Sequence, residues 1–136
     1  GMNVVLKLPM VKIHDKRYSL GLDEAEKEEF LAEMRQMLTS IQQIMTGIAT
    51  KDKDMIIKAA RYSGNKMARA TPQSVKDKTP VSFERIGGPT HMMFEELIIN
   101  VEEMDLNDQD DITDLAEFTG KLMRNCLACH AAFKVE

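Results

Sequence analysis

Tryptophan is missing from this chain, and tyrosine and cysteine occur only twice each. With two cysteines no disulfide framework is available, so stability must come from a packed core. Only four prolines interrupt the 136 residues, which leaves long stretches open to helix. No apolar run approaches the roughly 20 residues that a membrane-spanning helix needs. Positive charge is not in excess either. The net charge is −4, which argues against general nucleic-acid binding, because phosphate contacts require a basic surface. No Ser-His-Asp order, Walker loop or dinucleotide loop appears, so classical nucleophilic or acid–base enzymes have little support. Internal repeats and low-complexity segments are absent as well.

What is present fits one domain, long enough to bury a real core. The apolar share is an ordinary 43%, but it includes eleven methionines. Methionine fills irregular space and would suit a core built around a flat prosthetic group; it is equally a good helix former in an all-helical protein. Gly1 before Met2 reads as a remnant of tag removal and is set aside. No charged n-region, apolar h-region and cleavage site can be recognised after it, so a signal peptide lies outside this sequence or was never there.

Both cysteines fall in one pentapeptide, Cys126-Leu127-Ala128-Cys129-His130, followed by Ala131-Ala132-Phe133-Lys134. The pattern C-x-x-C-H is that of covalent haem attachment. On a helix the i, i+3, i+4 spacing puts Cys126, Cys129 and His130 on a single face. Two thiols can then bond the two vinyl groups of one porphyrin while the imidazole reaches its iron. A thiol–disulfide module is the first rival. It wants the pair at a helix start, where the dipole favours thiolate, whereas this pair falls late in a helix with no βαβ pattern around it. A structural zinc site is the second, but the pentapeptide supplies three ligands on adjacent turns where about four are needed.

The rest of the chain reads as helix. Residues 2–22 lack a helical period; Val4-Val5-Leu6 and Val11-Lys12-Ile13 flank Pro9, suggesting an extended arm or short strand pair laid over the core, with His14 as a surface residue. Asp23 caps a first helix of about 24 residues, whose apolar stripe passes through Phe30/Leu31, Met34, Met37/Leu38, Ile41, Ile44/Met45 and Ile48. A second, capped by Asp52 or Thr50, is weakened at Gly64 and stopped by Pro72 near Ala70. Residues 71–89, with Pro72, Pro80, Gly87, Gly88 and Pro89, form the main irregular stretch, expected to cover part of the core or a site opening. The third helix starts near Pro89 or Thr90 and runs to about Met104. After the acidic turn Asp105–Asp111, Asp110 or Asp111 caps the fourth, with Ile112, Leu115, Phe118/Thr119, Leu122, Cys126, Cys129/His130 and Phe133 inward. The expectation is an all-α, antiparallel up-down-up-down four-helix bundle over residues 23–136, preceded by an irregular N-terminal arm, 1–22.

A helical bundle ending in Cys126-Leu127-Ala128-Cys129-His130-Ala131-Ala132-Phe133-Lys134 resembles the cytochrome c′ family and its low-spin relatives such as cytochrome c556. Met45-Thr46-Gly47-Ile48-Ala49 is similar to the end of that family's first helix, and the likeness spans roughly residues 24–136. It implies one haem c, thioether-linked to Cys126 and Cys129, with His130 as the proximal iron ligand. Lys134 matches a basic family position, usually Arg, near the proximal face, where charge could stabilise an anion or a diatomic ligand; the other reading is a terminal residue complementing the helix dipole. On the distal side the family places an apolar residue or a Met from helix one, commonly one turn after an Arg. Here one turn after Arg35 is Thr39, off the stripe, while matching Met-Thr-Gly puts Arg35 itself in that place. By the stripe, Met34, Leu38 or Met37 faces the ring, with Met34 the first choice. Met ligation gives low-spin iron, and an apolar residue leaves it open to NO or CO.

The resemblance further implies an electron carrier or gas-binding protein rather than an enzyme, located in the bacterial periplasm, with a redox partner protein or small gas as its partner and a homodimer common. His91 reads as a second axial ligand or a helix-start residue, and Arg35, Arg69 and Arg124 as propionate partners or ordinary surface residues. The acidic stretch Asp105–Asp114 is a solvated cap region or a docking face for a basic redox partner. The alternative to all of this is a haem-free bundle acting through protein contacts, with an inert or redox-active cysteine pair.

Overall fold

The first long helix begins where the sequence caps it twice. In the computed structural model, which describes residues 15–136, Asp23 Oδ1 accepts from the amide of Glu26 at 2.8 Å, and Glu26 Oε1 accepts from the amide of Asp23 at 3.0 Å. This reciprocal capping box satisfies two of the amides that every helix start leaves open. Helix α1 runs Glu24–Thr50 and ends at Lys51, whose backbone turns left-handed (φ 58°) and returns its amide to Gly47 and Ile48. Asp52 then caps α2 (Lys53–Ser63) through the amide of Met55.

The α1–α2 contact is close because Gly47 permits it: a Cβ there would stand 2.5 Å from Ile56 Cγ1. Higher up the same seam, Ser40 Oγ donates to the carbonyl of Ala59 at 2.8 Å and lies 2.7 Å from Ser63 Oγ, all buried. Gly64 then breaks the helix. A side chain at Gly64 would collide with the Glu95 carboxylate, which accepts from the amide of Asn65 at 2.9 Å, and helix resumes as α3 (Asn65–Ala70).

Residues 71–89 correct the sequence reading. They form α4 (Gln73–Lys78) and the first turns of α5 (Val81–Glu102), so the third long helix starts at Val81 rather than near Pro89. The prolines misled because position was invisible. Pro72 and Pro80 stand just before helix starts, where a missing N–H costs nothing. Pro89 lies inside α5 on its exposed face. Asp108 rather than Asp110 or Asp111 caps α6 (Gln109–Ala132), accepting from both of their amides.

The described part of the chain is therefore mostly helical, as expected of an all-α fold. Its only sheet pairing is small: β1 (Tyr18–Ser19) lies parallel to β2 (Phe133–Lys134). The arm's other strand segments and His14 lie outside the described residues. Helix α1 packs on α2, α2 on α5, and α5 on α6, whereas α1 and α6 have little direct backbone contact. Ile44, Ile56, Phe94, Leu97, Leu115 and Leu122 centre the main core. A second cluster joins Leu20, Leu22, Phe30 and Val75 with Met34, Phe83, Phe133 and Val135. Phe83 lies between Phe30 and Phe133, its ring centroid 5.9 and 5.3 Å from theirs, so the supposed irregular stretch does cover part of the core. Among the described residues, no helix is long and apolar enough to cross a membrane.

Candidate functional site

Helix α6 carries the pentapeptide on its last turns. Its inward row, Leu115, Thr119 and Leu122, is buried, and Cys126 continues that row against the main core. Asn125 Nδ2 donates to Met93 Sδ at 3.4 Å, which marks the flank of α6 that faces α5. At about 100° per residue, Met123, Leu127 and His130 then fall on the opposite flank. On α1 the flank toward α2 is marked by Ser40 and Gly47, which puts Met34, Leu38 and Met45 on its opposite flank. Met123 (43% exposed), Leu127 (71%), Leu38 (70%) and Met45 (50%) are thus large apolar residues left open along the two flanks by which α1 and α6 would meet. Met37, Ile41 and Cys126, partly buried against the main core, lie beneath them.

Cys126 and Cys129 are free thiols, half-buried, and His130 is exposed. Burial pushes both thiols above the usual range, and the neighbouring Cys126 adds to the rise at Cys129. A thiol–disulfide enzyme needs the reverse, a thiol lowered toward neutral pH. Among the described residues no three His, Cys, Asp or Glu side chains converge as a metal site, so the zinc reading gains nothing.

The other sequence candidates divide. Met34 and Phe133 come together in the second cluster, which puts Met34 level with the last turn of α6. Arg35 is exposed and its carbonyl accepts from the Thr39 hydroxyl at 2.9 Å. Lys134 Nζ is 3.1 Å from Glu136 and 3.9 Å from Asp15. His91 Nδ1 is 2.7 Å from the carbonyl of Ser63, which gives it a role at the α2–α3 break. Arg69 and Arg124 are exposed. In the acidic turn, Asp105, Asp108 and Asp111 bond backbone or receive its amides, the work of a cap region.

Two residues at this end were not singled out from the sequence. Arg17 Nη1 donates to the carbonyl of His130 at 3.3 Å, and Asp15 braces the guanidinium at 2.8–3.0 Å. The local Asp-x-Arg pairing is visible in sequence, but its reach across 113 positions is not.

A cavity of about 480 Å³ lies elsewhere, on the α5-facing flank of α6 between Met104, Asp114 and Phe118. Half of its lining residues are carboxylates and it touches neither cysteine, so the chemistry of the pentapeptide defines the site rather than this hollow.

For one haem the donor set is of the right kind: two protonated thiols a turn apart and an imidazole beside them, with Cys126 and His130 along the apolar seam and Cys129 about 60° from Cys126 toward the α5 side. Compared with models of protein families, with characterised proteins and with solved structures, the chain matches none.

Proposed function

We propose that this protein is a c-type cytochrome: an antiparallel up-down-up-down four-helix bundle of α1, α2, α5 and α6 holding one haem c in the α1–α6 seam. The observation that carries the reading is the coincidence of the haem-attachment pentapeptide with the open apolar seam. Cys126 and Cys129 would form the thioethers, and His130 would be the proximal ligand. Leu38, Leu127 and Met123 would shield the ring edges from water. Met34, which shares the second cluster with Phe133, would stand on the far wall and is the first candidate for the distal side, with Met37 and Leu38 flanking it. Arg35 and Lys134 would meet charge at the ring periphery; Lys134 is already shared with Glu136.

Bound there, haem c would supply a one-electron couple, with a raised potential if Met34 ligates, or an iron open to NO or CO if it does not. The protein would act as an electron carrier or gas binder, not as a catalyst of organic chemistry. It would meet a redox partner or a small gas in the bacterial periplasm.

Co-expression with a haem-attachment system tests the reading by absorption spectrum and intact mass. A Soret band and one covalent haem mass are expected; their absence overturns it. The ferric spectrum of Met34→Ala then decides the axial question. A shift from low to high spin is expected if Met34 ligates, and an unchanged low-spin spectrum removes it. The same open seam favours one other reading, a haem-free bundle that covers Leu38, Met45, Met123 and Leu127 with a second protein surface. It predicts association lost in Leu38→Glu without any haem attached.

A further inference from the structure

We infer that residues 15–22 form a clasp on the motif-bearing end of α6, and that Arg17 is a positioning residue for His130. The inference rests on the haem reading only for its second half.

Helix α6 ends at Ala132, so the carbonyl of His130 belongs to the last turn, where carbonyls run out of helical amides. The amide of Phe133 goes to Cys129, and the carbonyl of His130 receives the Arg17 guanidinium instead. A cation at a helix C-terminus is favoured by the aligned peptide dipoles as well as by the hydrogen bond. Asp15 holds Arg17 through Nε and Nη2, which leaves Nη1 aimed at the carbonyl. The rest of the segment follows the same line. The amide of Leu20 donates to the carbonyl of Lys134 at 3.0 Å, the ring of Tyr18 meets Phe133 edge-on at 6.3 Å, and Leu20 and Leu22 are buried beside Phe133 and Val135. Arg17 therefore fixes the backbone that carries the imidazole, from a segment more than a hundred positions away.

The test has two readouts. Amide hydrogen exchange of the full-length chain needs no haem. Arg17→Ala should speed exchange at Leu20 and Phe133 by about tenfold, while Lys121→Ala, in the middle of α6, leaves both unchanged. Unchanged exchange in Arg17→Ala overturns the clasp. In haem-loaded protein, Arg17→Ala should shift the iron–imidazole stretching band and the reduction potential, and Arg17→Lys should restore part of the shift. Faster exchange with an unmoved band and potential overturns the positioning role and leaves a purely structural clasp. A chain that takes up no haem defeats the haem reading alone, since the exchange result still decides the clasp.

Discussion

The two flanks of α1 are built on opposite terms. Toward α2, small residues let the backbones close: Gly47 admits Ile56, and Ser40 reaches both Ser63 and the Ala59 carbonyl. On the opposite flank, large flexible residues stand exposed, among them Leu38 and Met45, and α1 has little direct backbone contact with α6. A seam of glycine and serine leaves room for nothing but the partner helix. A seam of leucine and methionine left unfilled has apolar surface to give to something else, and the pentapeptide lies along it. The same helix thus joins a finished interface to an unfinished one, and the difference separates fold from function.

Neighbouring residues offer the sharpest contrast. Ile44 is fully buried and Met45 is half-exposed. Ile44→Ala removes a core side chain and should lower stability by about 2–5 kcal/mol, whereas Met45→Ala should stay within about 0.5 kcal/mol in the haem-free chain. Urea midpoints at constant slope measure both, and equal losses would abolish the distinction between the flanks.

Gly47→Ala comes next. Alanine is favoured over glycine inside a helix by about 1 kcal/mol, but a Cβ 2.5 Å from Ile56 and 3.1 Å from the Asp52 carbonyl forces α1 and α2 apart. Overpacking outweighs propensity, and a net loss of about 1–2 kcal/mol is expected from urea unfolding. Leu38→Ala should be nearly silent without haem and cost about 1 kcal/mol once haem is attached, because only then is the side chain covered. Equal effects in both forms would mean that nothing fills the seam.

Much of this was legible in the chain. Asp23 marked the first helix start, and Asp52, offered beside Thr50, the second, because a capping carboxylate acts on amides two or three residues away. The inward row of α6 was likewise readable from its period as far as Cys126, whereas His130, expected on the same row, is exposed. Position relative to a partner was not. Pro72 and Pro80 looked like breakers until seen just outside helix starts, and Leu38 shared the stripe of Met34 and Met37 yet lies at its open edge. Arg17 could not be tied to His130 at all, since nothing local encodes a contact across the length of the chain.

Acid should separate the two regions by a different route. The α1–α2 seam uses no titrating group among the contacts named above. The second cluster is pinned by one: Glu26 at the start of α1 pairs with Lys78 at the end of α4, and its carboxyl is held down to about 2 by Lys78, the amide of Asp23 and Ser74. A carboxyl whose folded value lies below its unfolded 4.5 stabilises the fold above that pH, and the benefit is lost as pH falls from about 4.5 toward 2. Residue-resolved hydrogen exchange at pH 6 and pH 3 should show α4 loosening first while the Ser40–Ser63 region keeps its protection. Glu26→Gln should already be loosened at pH 6 and should lack that step. If both regions lose protection together and Glu26→Gln titrates like the parent, then α4 is held by Val75 packing alone and the ionic pin contributes little.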